Sequence, residues 1–281
     1  MAKYSLEGRV VVITGANGGL GSALAKALAK RGAKLALLDI AHPNAGQIVM
    51  SFGGAKLAQT WEVDVRSMDS VNTAIKAAAD HFGKIDIVIA NAGVTAFEPL
   101  VHADPKTFDR VIDINLNGVW RTFRAAVPYV AETKGYLLGI SSMAAFMHSP
   151  LQASYTASKA GVWALCDSIR LELRHQGVGV GSAHPTFFHT PLMDQTFADP
   201  AGNKIWGGNK GGIFKMVSLE EVISSIVEGI ERRQDVMVIP KTNGLVARAP
   251  GLFRKIVEAI GFNDRDIAET VRVAGQKGGV N

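Results

Sequence analysis

A single cysteine, Cys166, among 281 residues excludes an intrachain disulfide framework and fits a reducing compartment. It lies in an apolar helical stretch and reads as a small core residue. Aromatic residues make up only 7% of the chain, which leaves no stacking platform for nucleic-acid bases. No apolar run approaches the roughly 20 residues of a membrane-spanning helix. The N-terminus, MAKYSLEGRV, lacks the apolar core of a secretory signal. A soluble, cytoplasmic protein is expected. No group of His, Cys and Asp has metal-ligand spacing, so no metal is expected.

Charge is also sparse where it would matter. The formal net charge is +5, but the segment from Lys241 onward carries seven Lys/Arg against four acids and so supplies three of those charges. Elsewhere the bases are dispersed, without the stripe that a nucleic-acid duplex demands, so no nucleic-acid partner is expected.

What is present is apolar and alternating. Hydrophobic residues reach 47%, enough to cover both faces of a parallel sheet in a single domain spanning residues 1–281. Short β-branched runs read as strands at 9–14, 34–40, 57–65, 85–93, 135–142, 177–185 and 235–240. Helical spacing reads at 20–31, 71–83, 104–114, 117–133, 153–176 and 218–233. Asp104-Pro105 supplies an N-cap and a first-turn proline, and Gly32 a C-terminal stop. Strand-then-helix alternation predicts an α/β fold, a doubly wound parallel sheet with right-handed crossovers. Residues 186–215 break the pattern and read as an irregular lid; 241–281 read as a partly structured extension.

The stretch from Thr14 to Gly21 joins a buried strand to a helix. Gly15 permits the sharp exit, Gly19 lets a pyrophosphate approach the backbone, and Gly21 allows close helix–strand packing. Asn17 and Leu20 fill the turn, and the free N–H groups of the helix start face the phosphates. Asp39, about 20 residues on, is placed to accept from the adenosine ribose hydroxyls. A carboxylate there repels the 2′-phosphate of NADP, and the loop offers no Lys or Arg, so NAD is expected and NADP disfavoured. Asp64-Val65 sets a carboxylate toward the adenine amine, and Asn91-Ala92-Gly93 brings backbone toward the adenosine. On their own these are weak signals.

Tyr155 and Lys159 stand four apart on one helix face. A free phenol, with a pKa of about 10, is a poor base at neutral pH. A neighbouring ammonium stabilises phenolate and is expected to lower that value. Ser142, at the end of the fifth strand, can donate to a substrate oxygen, although alone it reads as a turn serine. Asn115 alone reads as an amide that interrupts a helix.

Together these pieces resemble single-domain members of the short-chain dehydrogenase/reductase family. The matches are TGxxxGxG at 14–21, Asp39, Asp64-Val65, Asn91-Ala92-Gly93, Asn115, Ser142, Tyr155, Lys159, Pro185 and Thr190, in order over about residues 8–240. The resemblance implies a Rossmann-like sheet of seven strands and a nicotinamide-dependent oxidoreductase. It makes Tyr155 the general acid/base and Lys159 a ligand of the nicotinamide ribose. Ser142 would orient the carbonyl or alcohol, with Ser141 as the alternative serine. Asn115 would support a water-linked relay to Lys159, and Thr190 would bond the carboxamide. One position departs: the family usually has Gly after Pro185, where this chain has Thr186. The resemblance also implies a homodimer or homotetramer, formed through the helices near 117–133 and 153–176.

The candidate substrate wall is apolar: Met143, Phe146, Met147, His148 and Gln152, with Phe187, Phe188, His189, Met193, Phe197 and Trp206 from the lid. It predicts a hydrophobic secondary alcohol or ketone, steroid-, terpenoid- or lipid-like. His148 and His189 have no acid partner and are read as uninvolved. The tail stretch 245–262, apolar with interspersed bases, could touch a membrane surface weakly. Packing on the lid or on a neighbouring subunit is the better reading. A non-catalytic dinucleotide sensor on the same fold is the rival function, and the intact set around Tyr155 argues against it.

Overall fold

The computed structural model describes residues 3–207 and 211–275. Seven parallel strands run β1 (Val10–Thr14), β2 (Lys34–Asp39), β3 (Ala58–Glu62), β4 (Ile87–Ala90), β5 (Tyr136–Ile140), β6 (Gly179–Pro185) and β7 (Val236–Ile239). Their order in the sheet is 3-2-1-4-5-6-7. The expected doubly wound sheet is the one observed. The order reverses between β1 and β4, and at such a switch point the strand ends part to leave a crevice.

The strands are long runs of Val, Ile and Leu because both of their faces are covered. On one face α1 (Gly19–Ala29) and α9 (Leu219–Glu231) bury Leu24, Leu28, Val222 and Ile226. On the other lie α3 (Met68–Phe82), α5 (Gly118–Glu132) and α6 (Ala153–Leu173), which bury Ile75, Phe123 and Val162. Each such aliphatic side chain contributes about 1.5–3 kcal/mol. Gly32 closes α1 as expected: at φ +81°, it lets Ala33 N–H reach the Leu28 carbonyl and its own N–H reach that of Ala29. Cys166 is buried in α6, where burial pushes its thiol up to about 12.

Four local expectations are corrected. A short helix, α2 (Ala45–Ser51), follows Asn44 where no helix was read; none of its residues is buried, so it shows no apolar stripe. The helices expected at 104–114 and 117–133 form one run. In it α4 (Pro105–Ile112) passes into α5 through a π-turn at Asp113–Asn117. The presumed irregular lid holds α7 (Pro191–Ala198) and α8 (Pro200–Trp206). Asp199 caps α8 through the N–H groups of Ala201 and Gly202, the same Asp-Pro signal that opens α4. The tail is mostly helical in its described part: α10 (Gly244–Arg248), α11 (Pro250–Gly261) and α12 (Asp264–Gly275).

Lid and tail share a third apolar cluster that includes Ile205, Trp206, Phe214, Val257 and Ala274. Lys204 of α8 pairs with Glu269 of α12 at 2.9 Å. The tail thus packs on the lid, as one of the two expected readings held, while Leu252, Ile256 and Ile260 of α11 stay exposed. Among the described residues no helix is long and apolar enough to cross a membrane.

Candidate active site

A cavity of about 690 Å³ opens along the carboxyl ends of the strands, within the usual range for small-molecule sites. Gly15, Asn17, Gly19 and Leu20 border it on one side, next to Asp39, Asp64 and Val65. Asn91, Ala92 and Gly93 follow at the switch point, then Ser142, Tyr155 and Lys159. Pro185 and Thr190 close the far end. Gly21 and Asn115 lie behind this lining. The sequence-assigned residues therefore converge on one crevice.

The glycine turn is tightly packed against neighbouring backbone. Gly15 has φ +64°, and a Cβ there would stand 2.8 Å from Ala92 Cα. A Cβ on Gly21 would meet the Gly15 carbonyl at 2.2 Å, so α1 can start this close to β1 only with glycine. Gly18 and Gly19 leave α1's first N–H groups facing the cavity mouth. Asp39 accepts from the Asn17 N–H at 2.8 Å and the Ile40 N–H at 2.8 Å, so its carboxylate is already turned toward the loop. The glycine turn itself carries no Lys or Arg, while Arg66 lines the same cavity beside Asp64.

The Asn91 side chain also braces the turn. Its amide donates to the carbonyls of Thr14 and Gly15, both at 3.0 Å, while Thr14 Oγ1 accepts from the N–H groups of Asn91 and Ala92. This pair ties β4 to β1 and holds the turn open, a brace that the lone Thr14 did not signal. Arg66 is a second residue missed from the sequence. It grips Asp64 through both carboxylate oxygens at 2.7–3.1 Å, and its side-chain hydrogen bonds hold Asp64 below the usual carboxylate range despite partial burial. Its position two residues after an acid that ends a strand was the available clue.

At the centre, Ser142 accepts the Ala144 N–H at 3.1 Å and lines the cavity together with Tyr155. Ser141, the other serine, also lines the cavity but is buried and donates to the Lys159 carbonyl at 2.8 Å. Lys159 is also buried, and its Nζ donates to the Ile140 carbonyl at 2.8 Å. That nitrogen lies 5.6 Å from the Tyr155 ring centroid.

The expected drop in the Tyr155 pKa is not what this geometry gives. Burial raises it, and Ser142 lowers it only in part. Lys159 is instead the shifted partner, pushed down by burial to about 8. For both groups the largest cause is the removal of a charge from water.

Asn115 is fully buried in the π-turn. Its Oδ1 accepts from Val94 N–H at 2.8 Å; its Nδ2 donates to the Val94 carbonyl at 2.9 Å and to Ser158 Oγ at 3.1 Å. A Cβ on Gly93 would sit 3.4 Å from Asn115 Oδ1 and 3.5 Å from Lys159 Nζ, ordinary contact distances that place both polar groups beside this residue. The π-turn is the local change that aims this amide inward.

The pocket wall follows the expectation with exceptions. Met143, Met147, Gln152, Phe187, Phe188, Met193 and Trp206 line the cavity. Phe146 does not; it packs edge-on against Trp163 and beside His184 in the core. Phe197 is also outside the lining. His148 and His189 are exposed and lie outside the cavity lining. Gln152 is tied by its Nε2 to Thr95 Oγ1 at 3.4 Å and accepts from Ser149 at 2.5 Å, a polar spot in an apolar wall. Thr186 borders the cavity with its hydroxyl buried and unpartnered.

A family profile described as short chain dehydrogenase matches residues 9–201. An uncharacterized NAD-dependent oxidoreductase of Mycobacterium tuberculosis is 34% identical over 221 residues, covering 70% of this chain and 80% of that protein. A (-)-trans-carveol dehydrogenase of Rhodococcus erythropolis is 37% identical over 205 residues, covering 67% of this chain and 74% of that one. Among solved structures, the 3-ketoacyl-(acyl-carrier-protein) reductase of Brucella melitensis complexed with NADH superimposes with a TM-score of 0.71 at 26% identity. That match covers 84% of this chain and 98% of the other.

Proposed function

The chain belongs to the short-chain dehydrogenase/reductase family, and from that premise we propose that it moves a hydride between NAD(H) and a hydrophobic secondary alcohol or ketone. The observation that carries this reading is the convergence of Ser142, Tyr155 and the buried Lys159 on the cavity that the glycine turn also lines. The dinucleotide, when bound, supplies the hydride acceptor or donor.

The chain's own residues do the rest. The amide groups after Gly18 hold the pyrophosphate, and Asp39 takes the adenosine ribose hydroxyls and disfavours NADP. Lys159 binds the second ribose, and Thr190 the carboxamide. Ser142 already accepts a hydrogen bond from Ala144, which leaves its own proton free for the substrate oxygen or for Tyr155. Tyr155 gives or takes the proton on that oxygen. A positive charge held beside Tyr155 would offset the burial that raises its pKa. Asn115 and Lys159, facing each other across Gly93, form the inner end of the proton path.

For the substrate, Met143, Met147, Phe187, Met193 and Trp206 favour an apolar ring or chain, and the carveol dehydrogenase relative acts on a molecule of that kind by its name. Residues 1–281 would act as one catalytic unit in the cytoplasm, as a homodimer or homotetramer. Trp120 on α5 and Leu171 on α6, both exposed, support pairing through those helices.

The test is absorbance of reduced nicotinamide with purified protein, NAD and a panel of cyclic and long-chain secondary alcohols. Turnover is expected with wild type and at least about 100-fold less with Tyr155→Phe. A Tyr155→Phe enzyme of normal rate would sink the assignment.

A further inference from the structure

His184 is the penultimate residue of β6, just before Pro185, and is fully buried. Its Nδ1 lies 3.3 Å from the main-chain carbonyl of Ser142, and its Nε2 lies 2.8 Å from Ser182 Oγ. A carbonyl only accepts, so Nδ1 carries the ring proton and Nε2 accepts from the Ser182 hydroxyl. Two partners therefore fix one tautomer and one ring orientation.

The ring also packs on Phe146, centroid to centroid at 4.6 Å, and Phe146 packs edge-on against Trp163 of α6 at 4.8 Å. The segment from Ser142 to Phe146 leaves the sheet just after its last ladder contact, Ser141 N–H to the Ala183 carbonyl. His184 holds both ends of that segment, the first by hydrogen bond and the last by ring contact. Met143, between them, forms part of the substrate wall.

We infer that His184 is a positioning residue: by holding the Ser142 carbonyl, it sets the direction of the Ser142 hydroxyl toward Tyr155 and the substrate oxygen. This rests on the reading of Tyr155 as the proton-transferring residue. The titratable groups near this contact are Tyr155 and Lys159, both from α6. Burial, with Lys159 adding to it, pushes the imidazole down to about 4, so His184 stays neutral through the working range and acts by geometry, not by charge.

The consequence is specific. Ser142 lowers the Tyr155 pKa, so a loosened Ser142 must raise it. His184→Phe keeps a ring on Phe146 and removes both hydrogen bonds; His184→Asn restores a short N–H donor. In alcohol oxidation, log kcat/KM climbs with pH as Tyr155 deprotonates. His184→Phe should move that limb up by about half a pH unit or more and lower kcat about tenfold, with NAD affinity unchanged. His184→Asn should recover part of both effects. Should the Phe variant not fold, Ser182→Ala, which only releases Nε2, carries the same test with a smaller shift.

An unmoved limb in the folded variants overturns the inference whatever happens to their stability, because a merely structural role would change Tm and leave the limb in place. A Tyr155→Phe enzyme that still turns over overturns the underlying reading instead. A dead Tyr155→Phe beside an unmoved His184→Phe limb removes His184 alone.

Discussion

The Nζ of Lys159 lies 2.8 Å from the carbonyl oxygen of Ile140, the last residue of β5, two positions before Ser142. One carbonyl is a poor replacement for the water that an ammonium loses on burial. The result is a lysine held at about 8 against an ordinary value of 10.5.

That depression has a sign in stability. The folded value lies below the unfolded one, so between about pH 8 and 10.5 the unfolded chain binds the extra proton. Stability therefore rises with pH through that window, and at pH 7 the buried charge costs on the order of 3 kcal/mol. Lys159→Met should be inactive yet melt at a higher temperature than wild type at pH 7, with the gap closing by pH 10. Thermal melts at the two pH values check this; a variant that melts lower at pH 7 refutes it.

Asn115 is expected to matter for folding as well as turnover. Truncation to alanine strands both the N–H and the carbonyl of Val94, and loses the bond to Ser158. Each stranded backbone group costs about 1–3 kcal/mol. Asn115→Ala should thus lose roughly 2–4 kcal/mol in urea titration, together with most activity. Asn115→Ser, which can keep one of these contacts, should fall between. Equal stability of wild type and the alanine variant would mean that the π-turn does not depend on this amide.

How much of this was legible in the sequence follows from range. Asp39, Gly21 and the Tyr155–Lys159 pair act through spacing along one strand or helix, and spacing is written in the chain. Asn115 was recognised as a residue but not as the centre of a π-turn, because the turn exists only where Val94 and Ser158, 21 and 43 residues away, come to meet the amide. The lid helices were missed although Asp199-Pro200 repeats the cap seen at Asp104-Pro105; the Gly-rich stretch around them hid a helix of only seven residues. Burial of Lys159 and Tyr155 decides their pKa directions, and burial is a property of the whole fold.

Cofactor choice turns on one carboxylate. Asp39 is fixed toward the loop by the N–H groups of Asn17 and Ile40. At hydrogen-bond range its charge is worth about 1–4 kcal/mol against a 2′-phosphate. Asp39→Asn keeps the shape and removes the charge, so the preference for NAD over NADP should fall roughly tenfold or more. Fluorescence titration with the two reduced cofactors reads this directly. An unchanged ratio would place the discrimination elsewhere.

Trp206 links the lid to the tail. Its ring lies 4.7 Å from Phe187, 5.5 Å from Phe214 and 5.6 Å from Phe262, so cavity wall, lid and α11's end meet on one indole. Burying such a side chain is worth about 3–5 kcal/mol on truncation. The sheet, however, is held by two other clusters that Trp206 does not enter. Trp206→Ala should therefore loosen lid and tail before the sheet. The expected pattern is faster proteolysis within 186–275 and a KM for the alcohol raised about tenfold. NAD affinity should stay close to that of wild type. If the whole chain is cleaved at one uniform rate, or NAD binding weakens as much as alcohol binding, then lid and sheet unfold as one unit and the tail has no separate hold on the substrate pocket.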